Sequence, residues 1–279
     1  PLAPLHNPPA LAGIRAAQEM LSDVPHVAVF DTAFFATLPE MARTYAIPRE
    51  LARSHAVRRY GFHGTSHAYV SRRAADFLES PYGSLNQIVL HLGNGCSASA
   101  IRGGVAVDTS MGLTPLQGLV MGTRSGDVDP GLHSFLGSAM GMSMTQVDTL
   151  LNKESGLKGL AGVNDFRELE QRRAAGDEAA ALAFAVYVHR IRGYLGSYLV
   201  TLGSLDALVF TAGVGENNPA LRAAVTAGLE RFGIELDDEA NGVSSTEPRI
   251  VSARASETTV LVIPTNEELA IAQAAAQLA

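Results

Sequence analysis

The chain lacks several of the features that mark specialised proteins. Its 279 residues include one cysteine, Cys96, so an internal disulfide cannot form and a disulfide-stapled scaffold is excluded. No apolar run reaches the roughly 18 residues that a membrane helix needs. Positive charge is in deficit: 21 Lys and Arg stand against 28 Asp and Glu, giving −7 and a pI near 5.6. Sequence-independent attraction to nucleic acid or to anionic lipid is not expected from such a balance. No repeat of fixed period and no low-complexity tract stands out, although the far end is rich in alanine. The sequence opens at Pro1 with neither an initiator methionine nor a basic leader, so a targeting segment upstream would not be visible. What is present is globular: 47% hydrophobic and 18% charged residues, enough for one large domain or two ordinary ones. A soluble, cytosolic protein is the expectation.

Alternating patterns carry the organisation. The first nine residues hold four prolines and read as irregular chain. Helical spacing follows over residues 11–21, then a short apolar strand over 27–30 that ends at Asp31. Residues 65–78 read as a helix with Thr65 as N-cap and His63 just ahead of it. Strands at 87–92, 96–101 and 105–108, separated by two glycine turns, form a three-strand meander. Asp129-Pro130 opens a further helix, and Ser143 with Gln146 makes a capping box for another. A long helix covers 177–202, and the last third alternates strand and helix at 207–211, 219–232, 260–263 and 267–278. Strands feeding helices through short loops indicate an α/β fold.

Two glycine-bearing turns stand out. Gly93-Asn94-Gly95 lies on a hairpin, where glycine permits close approach of a phosphate to backbone N–H groups; a type I′ hairpin without a ligand accounts for the same residues. His91 before it reads equally as a strand histidine with its polar atoms satisfied. The loop Gly213-Val214-Gly215-Glu216-Asn217 follows a strand and precedes a helix capped by Asn218, the placement that suits an anion, although such turns also occur without one. Arg124 sits among small residues that leave its guanidinium free to swing into a cleft, and its planar fork suits a phosphoryl group; a surface arginine is the plainer alternative. His63 and His67 stand at a helix N-terminus, where capping and packing compete with a phosphate role. Glu268, three residues after Thr265, completes a capping box, which leaves Glu267 able to hold a Mg²⁺-bound water or simply to favour the helix dipole.

Eight stretches, in order along the chain, resemble the acetokinase family, a branch of the actin, Hsp70 and sugar-kinase fold: residues 4–8, 29–34, 60–67, 91–95, 108–112, 121–127, 210–217 and 263–268. The resemblance implies an actin-like, ribonuclease H-like α/β fold. Asp31 would be the active-site aspartate, with His63 and Arg124 stabilising the phosphoryl group in flight. His91, Leu92, Gly93, Asn94 and Gly95 would contact the nucleotide phosphates, and Asp165, Phe166 and Arg167, with Gly213, Val214, Gly215, Glu216 and Asn217, would hold the adenosine end. Glu267 would serve Mg²⁺, with Mn²⁺ as a substitute, while Leu5, Phe62 and Pro115, with His6 beside them, would line the acetate methyl. The family opens with a β-rich half-domain that supplies an Asn, a Ser-rich phosphate hairpin and a substrate-binding Arg, which the chain does not carry before Pro1. Residues 1–34 and 269–279 are therefore expected to be a remnant of the first domain, residues 35–268 the second, and the chain alone is expected to lack part of the catalytic set.

The implied reaction is reversible transfer of the γ-phosphoryl group of ATP to acetate, giving ADP and acetyl phosphate, in a cytoplasmic homodimer with no nucleic-acid or membrane partner. Acetate is ionised near neutrality, so no proton needs removing and Asp31 is expected to orient metal-bound water or substrate. A longer-chain acyl kinase is the nearest alternative. A nucleotide-gated binding module of the same fold would share the glycine turns, but has no reason to place Arg124 and His63 beside a small apolar cavity.

Overall fold

In the computed structural model, which describes residues 7–278, a single six-stranded mixed sheet organises the chain. Its strands are β1 (Asn86–Leu92), β2 (Cys96–Arg102), β3 (Val105–Thr109), β4 (Ala207–Thr211), β5 (Arg249–Ile250) and β6 (Thr259–Val262), in the order β3-β2-β1-β4-β6-β5. The β1–β2–β3 meander is antiparallel, with Leu90 opposite Ala98. β1, β4 and β6 run parallel, with Leu90 beside Phe210 and Phe210 beside Val262. Parallel central strands are buried on both faces, which is why 88–90 and 207–210 read as continuous apolar runs.

The two-residue period of the strands divides the core. Ile88, Leu90, Leu92 and Ala98 face the long helix Glu178–Leu202, meeting Tyr187, Ile191 and Leu195. Val89, Ile101, Val209 and Leu261 face the helix Gly64–Phe77 through Val70 and Ala74. His91, Ser97 and Ser99 take the remaining positions on this second face, so the strand alternation alone brings three buried polar residues under one helix.

Several expectations hold closely. The Ser143/Gln146 capping box forms, with both reciprocal hydrogen bonds present. The long helix expected over 177–202 runs Glu178–Leu202, and the structure adds its cap, Asp177, which accepts from the N–H groups of Ala179 and Ala180. Others are corrected. No strand forms over 27–30, where the chain is irregular before the 3₁₀ turn Ala33–Phe35, because no neighbouring strand supplies a ladder. Residues 213–217 are not a loop but lie in the helix Ala212–Asn217. The helix begun by Pro219 ends at Thr226, and Gly228, at φ +73°, separates it from the short 3₁₀ turn Glu230–Phe232. At Asp129-Pro130 the aspartate does accept from the Gly131 N–H at 2.7 Å, although the helix starts one residue later, at Gly131. No helix among the described residues is long and apolar enough to cross a membrane.

Candidate active site

The site begins at the N-terminal end of the helix Gly64–Phe77. Free N–H groups there need acceptors, and Thr65 does not supply one. The acceptor is Asp31: its carboxylate takes the His63 N–H at 2.6 Å and its carbonyl takes the Gly64 N–H at 2.8 Å. The expected Thr65 cap is thus replaced by a residue more than thirty positions upstream. His63 adopts a left-handed backbone, φ +58°, a conformation that histidine tolerates better than most residues but that still costs on the order of 1–3 kcal/mol. The strain turns the ring down toward the sheet. There it stacks on His91, with centroids 4.2 Å apart, and its Nδ1 lies 2.9 Å from Ser97 Oγ.

Below it is a connected polar layer. Ser97 Oγ lies 2.7 Å from His67 Nε2, and His67 Nδ1 lies 2.8 Å from Ser99 Oγ. His91 Nδ1 lies 2.8 Å from Ser66 Oγ, which lies 2.8 Å from Thr265 Oγ1. Burial, helped by the neighbouring imidazoles, holds His67 and His91 well below the usual histidine range, so both are neutral at neutral pH. Thr265 is therefore not the cap of the helix Glu267–Leu278, and no capping box with Glu268 forms. Asn266 does the capping by accepting from the Leu269 N–H at 2.9 Å, while the Thr265 N–H donates to Glu216.

Arg124 faces this layer from the opposite side. Its guanidinium is not free to swing: Nη1 donates to the Pro115 carbonyl at 2.7 Å. The loop that carries it is equally fixed. The N–H of Gly122 donates to the Asn94 carbonyl, and the N–H groups of Ser155, Leu157 and Lys158 donate to the carbonyls of Thr123, Met121 and Gly122. The fork lies directly above Gly95. A Cβ placed on Gly95 would stand 2.8 Å from Arg124 Nη2 and 3.1 Å from His63 Nε2. Gly95 is thus the floor of a small space between a fixed cation and an imidazole edge. Cys96, next in the chain, is buried, bonded to the Gly93 carbonyl and the Tyr187 hydroxyl, and pushed up to about 11 chiefly by burial.

A cavity of about 670 Å³ adjoins this floor, within the size range of cofactor and ligand sites. Its wall brings together Gly93 and Asn94 of the hairpin, Asp165, Phe166 and Arg167, and Gly213, Val214 and Asn217. Gly122, Leu157, Asn164 and Asn218 also line it and were not anticipated. Other residues expected at the nucleotide do not line it. Leu92 is buried in the core, Gly215 packs against Leu92 and Phe210, His91 is bonded to Ser66, and Glu216 ties Thr265 to β4. The Phe166 ring packs mainly on Tyr187, 5.2 Å away, while Asp165 caps the helix Phe166–Ala174 and pairs with Arg167, which holds its carboxyl down at about 2. Phe62 rests against the main core and Pro115 presents its carbonyl to Arg124. Leu5 and His6 lie outside the described residues.

The charge of Asp31 acts on Glu267. Burial first, then Asp31, then Glu268, pushes the Glu267 carboxyl up. No group of three or more His, Cys, Asp or Glu side chains gathers here among the described residues; two carboxylates suit a hard divalent ion that keeps waters and takes phosphate oxygens as further ligands. Reading the sequence missed the serines. The signal was there in Cys96-Ser97-Ala98-Ser99-Ala100, where small polar and small apolar residues alternate with the strand period opposite two histidines four residues apart.

A mixed sheet in the order β3-β2-β1-β4-β6-β5, wrapped by helices on both faces, is consistent with an actin-like ATPase fold. Two solved structures superpose on it: an acetate kinase from Porphyromonas gingivalis (TM-score 0.94, 45% identity, 98% of this chain and 69% of that one) and a propionate kinase from Francisella tularensis (TM-score 0.91, 47% identity, 97% and 69%). The acetate kinase of Corynebacterium jeikeium is 59% identical over 281 residues, spanning all of this chain and 70% of its own. The acetokinase family model matches residues 1–273, and the chain belongs to that family.

Proposed function

We propose that the chain is an ATP:acetate phosphotransferase, which moves the γ-phosphoryl group of ATP reversibly to acetate to give acetyl phosphate and ADP. The observation that carries this reading is the convergence of the Arg124 guanidinium and the His63 ring over Gly95, beside a cavity of nucleotide size. The family relatives named as acetate kinases supply the choice of acceptor.

The chemistry follows from what the side chains can do. Acetate is anionic at neutral pH and needs no base, so catalysis rests on alignment and on neutralising charge spread over the transferring oxygens. Arg124, latched to Pro115, presents the rest of its fork without reorganising. His63 offers a ring nitrogen beside it. Asp31 is engaged as acceptor of the His63 N–H, which suits an orienting role rather than that of a base. Glu267 and Asp31 would hold Mg²⁺ or Mn²⁺, which neutralises phosphate charge when bound. Gly93 and Asn94 would meet the phosphates, and Gly213, Val214 and Asn217 the nucleoside end. Phe62 and Pro115 would border the acetate methyl.

Residues 1–34 and 269–279 would belong to a first domain and residues 35–268 to the second. That division rests on the family resemblance; the groove that Val29, Phe30 and Ala33 share with Leu269, Ala270 and Gln273 is lined equally by Gly64, Ala68 and Arg72 of the second. The family reading also carries homodimerisation and a cytoplasmic location, and the exposed Leu182 and Val200 on the long helix suit a subunit contact. The test is a hydroxamate trap for acyl phosphate with ATP and acetate, propionate or butyrate. Hydroxamate formed fastest with acetate supports the reading; ATP hydrolysis indifferent to acetate would end it. A propionate-preferring enzyme is the second reading, favoured by the Francisella tularensis propionate kinase.

A further inference from the structure

We propose that Ser97 is a positioning residue that fixes the proton of His63 on Nε2, at the end of a one-way chain of hydrogen bonds running from Ser99 through His67. The catalytic consequence rests on the phosphoryl-transfer reading above, whereas the proton placement does not.

The argument is a count of hydrogens. Four groups lie in line: Ser99 Oγ, 2.8 Å from His67 Nδ1; His67 Nε2, 2.7 Å from Ser97 Oγ; and Ser97 Oγ, 2.9 Å from His63 Nδ1. Ser97, Ser99 and His67 are all fully buried, so water does not complete the set. Each serine carries one hydrogen, and a neutral imidazole carries one N–H and one lone pair. His67 is kept neutral by burial. The chain can therefore run in one of two directions.

In the first, Ser99 donates to His67 Nδ1, His67 donates from Nε2 to Ser97, and Ser97 donates to His63 Nδ1. Each hydrogen of Ser99, His67 and Ser97 has an acceptor, and the His63 proton must sit on Nε2. In the reverse, His63 donates from Nδ1 to Ser97, Ser97 to His67 Nε2, and His67 from Nδ1 to Ser99. The Ser99 hydrogen then has nowhere to go, because His67 Nδ1 is the single partner of that hydroxyl among the described residues. A doubly protonated His63 imposes the same reversed chain. Leaving a buried donor unsatisfied carries its whole desolvation penalty, so the first direction wins.

The result is directional. His63 Nε2 is the atom beside Gly95 and the Arg124 fork, so the chain delivers an N–H donor to the place where phosphoryl oxygens would pass. Stacking on His91 holds the ring plane. Ser97 and His67 thus act through His63 and touch no reacting atom themselves.

The experiment is two-bond ¹⁵N–¹H correlation NMR of the histidine-labelled enzyme, which distinguishes an Nε2–H ring from an Nδ1–H ring, with kinetics on the same samples. In the wild type His63 is expected as Nε2–H. In Ser97→Ala the two tautomers should mix, and kcat should fall about tenfold with KM for ATP and acetate within about twofold, the size of one lost oriented hydrogen bond. Ser99→Ala, which leaves the middle of the chain intact, should also mix the tautomers of His63, and Ser99→Thr should restore them. A wild-type His63 protonated on Nδ1, or tautomers unmoved in both alanine variants, overturns the relay. Mixed tautomers with unchanged kcat overturn the positioning role. Absence of any acyl phosphate from the wild type instead defeats the activity reading, and the spectra still decide the relay.

Discussion

Gly95 has no side chain because the space above it is already taken by Arg124 and His63. Gly95→Ala is expected to reduce turnover at least about a hundredfold, because a misplacement of about 1 Å at a reacting centre has that effect; thermal denaturation should show the fold unharmed. Arg124→Ala should cost about 10³-fold or more in kcat, by comparison with arginines that meet transferring phosphoryl groups. Arg124→Lys should recover little, since an ammonium cannot hold the Pro115 carbonyl and also present a fork. Near-normal hydroxamate formation by Arg124→Ala would remove the residue from the mechanism. For Asp31→Asn, the amide oxygen can still accept the His63 N–H while the charge acting on Glu267 is gone. Activity should drop and be partly restored by excess Mg²⁺, as titration of the metal at fixed ATP would reveal.

Among the elements, those with a local cause were legible in the sequence. Ser143 announces its helix because a short polar side chain at the N-cap satisfies an amide three residues on, and Asp177 acts in the same way at the long helix. Asp177→Ala should lower stability by about 1 kcal/mol, read from the urea midpoint, with the active site unaffected. The β1–β2 hairpin was equally legible, since an apolar run and an alternating strand flank a glycine turn. What escaped has a nonlocal cause. The cap of the helix Gly64–Phe77 comes from Asp31, and the latch on Arg124 comes from the Pro115 carbonyl. No spacing rule reveals a main-chain acceptor that only tertiary folding brings into reach. Residues 213–217 looked like a glycine loop because two glycines disfavour a helix; packing of Gly215 against Leu92 and Phe210 overrides that preference. The candidate site was legible as a set of residue types, and its polar underlayer was not.

At the scale of the whole molecule, burial of His67 and His91 sets a pH response. Both are held below their unfolded value of about 6.5. The unfolded chain therefore binds protons that the folded chain refuses as the pH falls through that value. Their contribution is fully present above about pH 6.5 and is lost progressively below it. Urea midpoints should decline from pH 7.5 to 5.5, and His91→Asn should shallow the decline. Acceptor choice is also a property of the assembled site. Each added methylene in a small apolar pocket is worth about 1–3 kcal/mol, so kcat/KM should fall from acetate to propionate to butyrate. Butyrate ahead of acetate would reassign the enzyme to longer acids.

The sulfhydryl of Cys96 sits one residue from Gly95, enclosed by the Gly93 carbonyl and the Tyr187 hydroxyl and pushed up to about 11. Alkylating reagents attack the thiolate and need to reach it, so this atom should stay silent while the native packing holds. Each molecule therefore carries a built-in reporter: the speed of maleimide capture at Cys96 counts excursions that pry the hairpin from the long helix, and bound nucleotide should slow it.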